Sequence, residues 1–265
     1  MSQTRTRYQG AICDVDGVLV ASPHERAWRE TLQRLFETEW RDILARTSYK
    51  PERFTTAVYQ EHVAGKPRFS GAEAALAYFG VPDLDERTKR YGDCKQAYLL
   101  ELVKAREFTA FPDGLRFALA VKEMGIRVAA ASSSKNADLF LERIPLDTFD
   151  QSEGKTSRLV YPGMTLLDLF DANVCGRFER GKPHPDIFEN AAKDLNLSPA
   201  VCFVVEDATS GIQAAKAGGM AALGVARLDD EALLQEAGAD LVVTSLDDVL
   251  LEGLAHGRLE ARRKA

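Results

Sequence analysis

The stretch Tyr8-Gln9-Gly10-Ala11-Ile12-Cys13-Asp14-Val15-Asp16-Gly17-Val18 decides how this 265-residue chain is read: a short apolar run gives way at once to two carboxylates one residue apart. An Asp-x-Asp alone is a common turn. Three further segments give it meaning. Ser132-Ser133-Ser134-Lys135-Asn136 follows the apolar run Ile126–Ala131, Glu206-Asp207 follows Val201–Val205, and Gly181-Lys182-Pro183 precedes the helical stretch Pro185–Leu195. Three of the four segments sit where a buried strand becomes a loop. In an open parallel sheet, ligands bind in the crevice outside the carboxyl ends of the strands, so the segments are expected to converge there. In chain order they supply two carboxylates, a hydroxyl, a lysine and two more carboxylates, the inventory needed to hold Mg²⁺ against a phosphate and attack it. As mere turn residues, two acidic pairs on one rim would repel each other without a cation.

Outward from these motifs the pattern is regular. From Pro112 the expected order is helix Gly114–Met124, strand Ile126–Ala131 and helix Ala137–Ile144. Later come helix Pro185–Leu195, strand Val201–Val205, helix Ser210–Ala217, strand Ala221–Val225, helix Asp230–Glu236, strand Asp240–Val243 and helix Leu246–Leu254. Such alternation predicts an α/β fold, a Rossmann-like doubly wound parallel sheet. Between the first strand and this region, roughly ninety residues read as helical, over Glu25–Glu39, Arg53–Val63, Gly71–Phe79 and Asp85–Val103. In the first of these, Ala27, Trp28, Leu32, Leu35 and Phe36 recur at helical spacing. The expected organisation is a core of residues 1–21 and 109–265 with a helical cap domain, 22–108, inserted, and linkers near Val20–Pro23 and Phe108–Phe111. Within Asp150–Arg180 the expectation is an added loop, Gln151–Thr165, and a strand around Asn173–Cys175. The charged tail Ala255–Ala265 is expected to fray.

A net charge of −6 excludes a general nucleic-acid binder, which needs a basic face to displace counterions, yet leaves room for a local positive site. No run is long and apolar enough to cross a bilayer, and the polar start Met1–Arg7 has no signal core, so no membrane partner is expected and the cytoplasm is the default location. Of four cysteines, Cys13 and Cys202 lie in strand runs beside the acidic motifs, whereas Cys94 and Cys175 are remote from them in sequence. None is in a Cys-x-x-Cys spacing, so they read as reduced, packed thiols.

With these four motifs in this order, the chain from about Ala11 to about Ala226 resembles the haloacid dehalogenase-like superfamily of phosphoryl-transfer enzymes, and within it the β-phosphoglucomutase-like branch with a helical cap. The resemblance implies that Asp14 is a nucleophile forming an aspartyl-phosphate and that Asp16 is the general acid and base. Mg²⁺ would be held by Asp14, Glu206, Asp207 and the backbone carbonyl of Asp16. Ser132 and the N–H groups after it, near a helix start, would donate to phosphate oxygens, and Lys182 would balance the carboxylates.

Substrate choice rests on the cap. His24-Glu25-Arg26-Ala27-Trp28 is similar to the branch pattern in which a histidine opens the first cap helix; Trp28 itself reads as cap core. Gly65-Lys66-Pro67-Arg68 resembles the loop whose arginine holds the distal phosphate of a sugar bisphosphate, a task suited to a guanidinium fork. Lys66, Lys95, Ser134, Lys135 and Asn136 join the candidate substrate residues. Relatives often continue the first motif with Thr-Asp-Thr or Thr-Asp-Ser, where this chain has Val20-Ala21-Ser22. Three readings stand: a hexose-phosphate mutase, with a sugar bisphosphate activator; a hydrolase of small phosphorylated sugars or metabolites; and a non-catalytic phosphosugar sensor, which would not need an intact nucleophile and acid pair. The expected state is a monomer or weak dimer.

Overall fold

The computed structural model describes residues 7–154 and 157–262, and the chain divides into two compact units, Met1–Ala21 with Thr109–Ala265, and Ser22–Phe108. The first unit begins with β1 (Gly10–Cys13) and the two-residue β2 (Val20–Ala21). The helical unit contributes α1 (His24–Glu37), α2 (Thr56–His62), α3 (Arg68–Tyr78) and α4 (Leu84–Lys104). The chain returns to the first unit at β3 (Thr109–Ala110) and runs through α5 (Pro112–Glu123), β4 (Arg127–Ala130), α6 (Ala137–Leu141), α7 (Leu146–Ser152), β5 (Ala172–Asn173) and α8 (Asp186–Asp194). It ends with β6 (Cys202–Glu206), α9 (Thr209–Ala217), β7 (Ala221–Val225), α10 (Glu231–Glu236), β8 (Leu241–Val243) and α11 (Leu251–Leu254).

Six of the strands form one parallel sheet in the order β5-β4-β1-β6-β7-β8, the Rossmann-like arrangement that the alternation predicts. Every residue of β1 and β6 is buried, as continuous apolar runs covered on both faces must be. Ala11 is flanked by Val128 and Phe203, which fixes the register of the three central strands. On one side of the sheet Ile187, Phe188 and Ala191 of α8 pack with Ile212 and Ala215 of α9 against Ile12 and Val204. The helical unit has its own core, in which Trp28, Leu32, Leu35 and Phe36 of α1 meet Leu76, Phe79 and Tyr91. The rings of Phe36 and Tyr49 stack at 4.3 Å, and the Tyr91 hydroxyl donates to the Trp28 carbonyl at 2.8 Å, so the buried phenol is satisfied. Among the described residues, no helix is long and apolar enough to cross a membrane.

Several expected elements differ. Arg53–Val63 is not one helix: a 3₁₀ turn, Pro51–Arg53, is followed by α2, which starts where the Thr55 hydroxyl accepts the Val58 N–H. Leu246–Leu254 breaks into a 3₁₀ turn, Leu246–Asp248, and α11, with Val249 drawn off to bridge Ala261. That bridge and the bond from Arg262 N–H to the Asp248 carbonyl pin the described part of the tail; Arg263–Ala265 lie outside the described residues. The segment Gln151–Thr165 begins inside α7 and ends where Thr165 bridges Pro145, with Lys155 and Thr156 outside the described residues. The strand expected at Asn173–Cys175 is β5, one residue earlier. The pair of β2 and β3, antiparallel through Val20–Ala110 and Ala21–Thr109, was not foreseen, because two-residue strands carry no periodicity.

Candidate active site

β1 ends at Cys13, so Asp14 is the first residue beyond it, and its N–H still follows the ladder by donating to the Val205 carbonyl at 3.0 Å. Glu206 is the last residue of β6, and Asp207 follows it. Lys182 arrives from the loop before α8. Asp186, the first residue of that helix, closes this loop by accepting from the Arg180 N–H at 2.9 Å and from its guanidinium at 2.7 Å, with the Lys182–Pro183 peptide cis inside the closure. The Lys182 ammonium donates to Asp14 Oδ1 at 2.5 Å and to Glu206 Oε1 at 2.7 Å, and its side chain is 1% exposed. Oxygens of Asp14, Glu206 and Asp207 lie within 4.8 Å of one another. The structure thus brings together Asp14, Lys182, Glu206 and Asp207, from loops widely separated in sequence.

Two glycines make this spacing feasible. Gly17 has φ +76°, and a Cβ on it would fall 1.8 Å from Asp207 Oδ2. A Cβ on Gly211 in α9 would fall 1.6 Å from Glu206 Oε1. A side chain at either place would push the carboxylate out of the cluster. Glu206 Oε2 meanwhile accepts the Asp207 N–H at 3.0 Å, so both of its oxygens are engaged, each retaining a second lone pair.

Burial, and then the charge of Glu206, push the Asp14 carboxyl upward; Lys182 and the Asp16 N–H pull it back only in part. Asp207 is raised well above the carboxylate range by burial and by the charges of Glu206, Asp14 and Asp16. Burial opposes the charge on Lys182, but the two carboxylates more than offset it and hold the ammonium protonated. One lysine therefore does not neutralise the cluster. Three hard oxygen donors converging with excess negative charge fit a hard divalent cation.

Asp16 is half-buried in the turn after Asp14, where Gly17 N–H donates to the Val20 carbonyl. Its carboxylate is not one of the three clustered groups. Ser132 is buried two residues past β4, but the expected row of waiting N–H groups is partly taken: Ser134 N–H donates to Ser132 Oγ at 3.1 Å and Asn136 N–H to Ser134 Oγ at 3.2 Å. The helix after Ser132, α6, starts at Ala137 as expected but ends at Leu141, after five residues. Ser134 and Asn136 are half-buried and Lys135 is exposed.

Cys175, read from sequence as remote, lies just past β5 beside this rim. Gly176 N–H donates to the Ser132 carbonyl at 2.8 Å, and burial together with Asp138 and Asp14 pushes the Cys175 thiol upward. The parallel pairing of β5 with β4 brings it there, a contact no sequence signal announces. Cys13 is likewise pushed up to about 12 by burial and Asp14, so it stays a thiol.

In the helical unit, His24 opens α1 and is buried against Lys95, whose ammonium lies 2.6 Å from His24 Nδ1 and 4.7 Å over the Trp28 ring. Burial and Lys95 hold the imidazole well below its ordinary value, so it is neutral, and a donating lysine places the ring proton on Nε2. Trp28 is core. Lys66 is folded back onto the His62 carbonyl at 2.7 Å, with its ammonium lowered by burial. Arg68 begins α3, with Asp93 at 3.9 Å, beyond hydrogen-bond range.

The sequence profile of the haloacid dehalogenase-like hydrolases matches residues 8–219. The β-phosphoglucomutase of Bacillus subtilis is 31% identical, with 96% of this chain and 97% of that protein covered. The bifunctional riboflavin kinase/FMN phosphatase of Arabidopsis thaliana is 45% identical over 72% of this chain and 44% of its own length. Among solved structures, an archaeal β-phosphoglucomutase from a Pyrococcus strain superposes with a TM-score of 0.66 at 30% identity, with 92% of this chain and 96% of that one covered.

Proposed function

This chain belongs to the haloacid dehalogenase-like hydrolases and is an enzyme of phosphotransferase or phosphatase type; from that premise we propose Mg²⁺-dependent phosphoryl transfer on a small phosphorylated sugar, through an aspartyl-phosphate on Asp14. The observation that carries this reading is the buried cluster of Asp14, Glu206 and Asp207 around the single ammonium of Lys182. Asp14, Asp207 and Glu206, with the Asp16 carbonyl, would hold Mg²⁺, which supplies the charge neutralisation that a phosphoryl group needs beside carboxylates. Asp14 attacks phosphorus in line. Lys182 favours the ionised form of Asp14 and offsets charge on the transferred group. Asp16 protonates the leaving oxygen and then takes the proton from the next acceptor. Ser132 donates its hydroxyl to a phosphate oxygen. His24, Lys66, Arg68, Ser134, Lys135 and Asn136 are assigned to recognition of the sugar and any second phosphate.

A mutase of the β-phosphoglucomutase type is the preferred reading, supported by the near full-length similarity to the Bacillus and Pyrococcus proteins. The phosphatase reading is supported by the 45% identity to a protein with a phosphatase name, and by Val20-Ala21-Ser22 after the first motif. Incubation with Mg²⁺ and β-glucose 1-phosphate, with and without catalytic glucose 1,6-bisphosphate, decides between them when glucose 6-phosphate and free phosphate are followed in one sample. Bisphosphate-dependent glucose 6-phosphate is the expected result. Dominant free phosphate makes the enzyme a phosphatase, and turnover retained by Asp14→Asn removes the mechanism.

A further inference from the structure

Two residues past the end of β7, Arg227 is used in an unusual way. Its guanidinium donates through Nε to the Gly17 carbonyl at 2.8 Å, through Nη2 to the Val18 carbonyl at 3.2 Å, and through Nη1 to Asp113 Oδ2 at 2.9 Å. The planar group lies 4.0 Å over the Phe111 ring. Asp113, in the first turn of α5, is itself fixed by the Ser245 hydroxyl at 3.2 Å and the Leu246 N–H at 2.9 Å. All three edges of the fork are therefore occupied, two of them on the turn that begins one residue after Asp16.

That turn has little else to hold it in place from β7. Within itself it is tied by Leu19 and Val20 N–H donating to the Val15 carbonyl, and by Gly17 N–H donating to Val20. These bonds set its shape; the Phe111 N–H on the Leu19 carbonyl at 2.9 Å and the β2–β3 pairing anchor its far end, and Arg227 anchors the Gly17–Val18 end beside Asp16. Gly17 is also the residue against which the Asp207 carboxylate packs, so a shift of Gly17 moves Asp16 on one side and disturbs Asp207 on the other. A fixed, planar, five-donor fork can meet two carbonyls and a carboxylate at once, which an ammonium on a flexible stem cannot.

We propose that Arg227 is a positioning residue for Asp16, holding the Gly17–Val18 turn so that the Asp16 carboxyl reaches the leaving oxygen. The proposal rests on the phosphoryl-transfer reading, in which Asp16 is the acid. A misplacement near 1 Å at such a group costs about 100-fold in rate. The cost falls only on substrates whose leaving group must be protonated: a sugar alkoxide needs the proton, whereas para-nitrophenolate leaves as the anion.

The test compares kcat/KM for glucose 6-phosphate and para-nitrophenyl phosphate in the wild type, Arg227→Lys and Arg227→Met, with thermal melts followed by far-UV circular dichroism. We expect glucose 6-phosphate to lose about 100-fold in Arg227→Met while para-nitrophenyl phosphate loses less than about threefold. Arg227→Lys keeps a cation opposite Asp113, so it should melt near the wild type yet show the same selective loss. If Arg227→Met does not fold, Arg227→Lys decides alone. Equal losses on both probes, or no loss in a folded variant, overturn the positioning role. A wild type that turns over neither probe, whether to free phosphate or, with glucose 1,6-bisphosphate present, to the isomeric sugar phosphate, or an active Asp14→Asn, instead refutes the reading of the site and takes this proposal with it.

Discussion

Replacing Lys182 by methionine keeps an unbranched stem as far as Cε beside the Phe188 ring, 5.0 Å from the ammonium, but removes the cation between Asp14 and Glu206. The consequence can be bounded from the spacing of the carboxylates. Their oxygens lie within 4.8 Å of one another, a separation at which like charges repel by about 3.5 kcal/mol for an effective dielectric near 20. Asp14 is already raised to about 7 with the lysine in place, so without it the carboxyl holds its proton to higher pH. Removing one partner from a buried ion pair typically costs ~3–5 kcal/mol, because the remaining charges stay buried. Metal-free Lys182→Met should therefore be less stable by about 3–5 kcal/mol at pH 7. Both folded proteins bind protons that the unfolded chain releases, but above about pH 7 wild-type Asp14 gives its proton up while the variant keeps it, so there the variant's stability falls faster and the deficit grows by up to about 1.4 kcal/mol per pH unit. Urea unfolding in a chelator measures this, since guanidinium would screen the charges. Far-UV circular dichroism is the signal, because both tryptophans, Trp28 and Trp40, are in the helical unit. Mg²⁺ at a hundred times its Kd should restore about 2.7 kcal/mol. A deficit under about 1 kcal/mol with no pH slope would refute the charge argument.

Gly211→Ala puts a methyl where Glu206 Oε1 now lies, 1.6 Å from the built Cβ, so the carboxylate must leave Lys182; a stability loss of about 1–3 kcal/mol and a rate at least about tenfold lower are expected, read by urea unfolding and initial rates. An unchanged rate would mean that Glu206 does not position the lysine. Burial pushes the Asp113 carboxyl up, but the Arg227 hydrogen bond, the Leu246 N–H and Ser245 outweigh it and leave the group below its ordinary 3.8. A depressed carboxyl stabilises the fold above its unfolded value and loses that contribution as pH falls through the folded one, so Asp113→Asn should cost about 2 kcal/mol at pH 7 and almost nothing near pH 2. Parallel acid-limb melts of the two proteins check it, and a deficit independent of pH would assign Asp113 a purely steric role.

What could be read from the chain and what could not divide along physical lines. Apolar runs such as Ile12-Cys13 and Val204-Val205 announce buried strands, and a carboxylate at the end of such a run announces the rim of a sheet, so Asp14, Glu206 and Asp207 were legible. Lys182 was legible from the company it keeps in chain order. Arg227 was not: it sits in an ordinary loop after β7, and only three-dimensional closure places it on the Gly17 and Val18 carbonyls. Ser132 and Ser134 illustrate a second limit, because the capture of nearby N–H groups by their hydroxyls is decided by local geometry and takes up donors that the sequence leaves open for a phosphate. Cys175 illustrates a third, since its approach to Ser132 depends on which strand pairs with β4.

The same core would serve a mutase and a phosphatase, and the difference between them is an argument about position rather than about chemistry. On the proposed mechanism, an aspartyl-phosphate on Asp14 would pass to whichever hydroxyl Asp16 can deprotonate in line with phosphorus. Water is abundant but unheld, whereas a well-oriented hydroxyl reaches effective concentrations of about 10⁵ M or more, enough to outcompete it. A sugar can be oriented to that degree only through groups remote from the reacting centre, and a second phosphate gripped by a guanidinium is the strongest such handle among those available. On the proposed reading that grip falls to Arg68, which has Asp93 only loosely opposite. Lys66, bent onto the His62 carbonyl, is less so. The two readings thus turn on binding a phosphate that is not transferred, while the work proposed for Asp14, Asp16 and Lys182 would be the same in both.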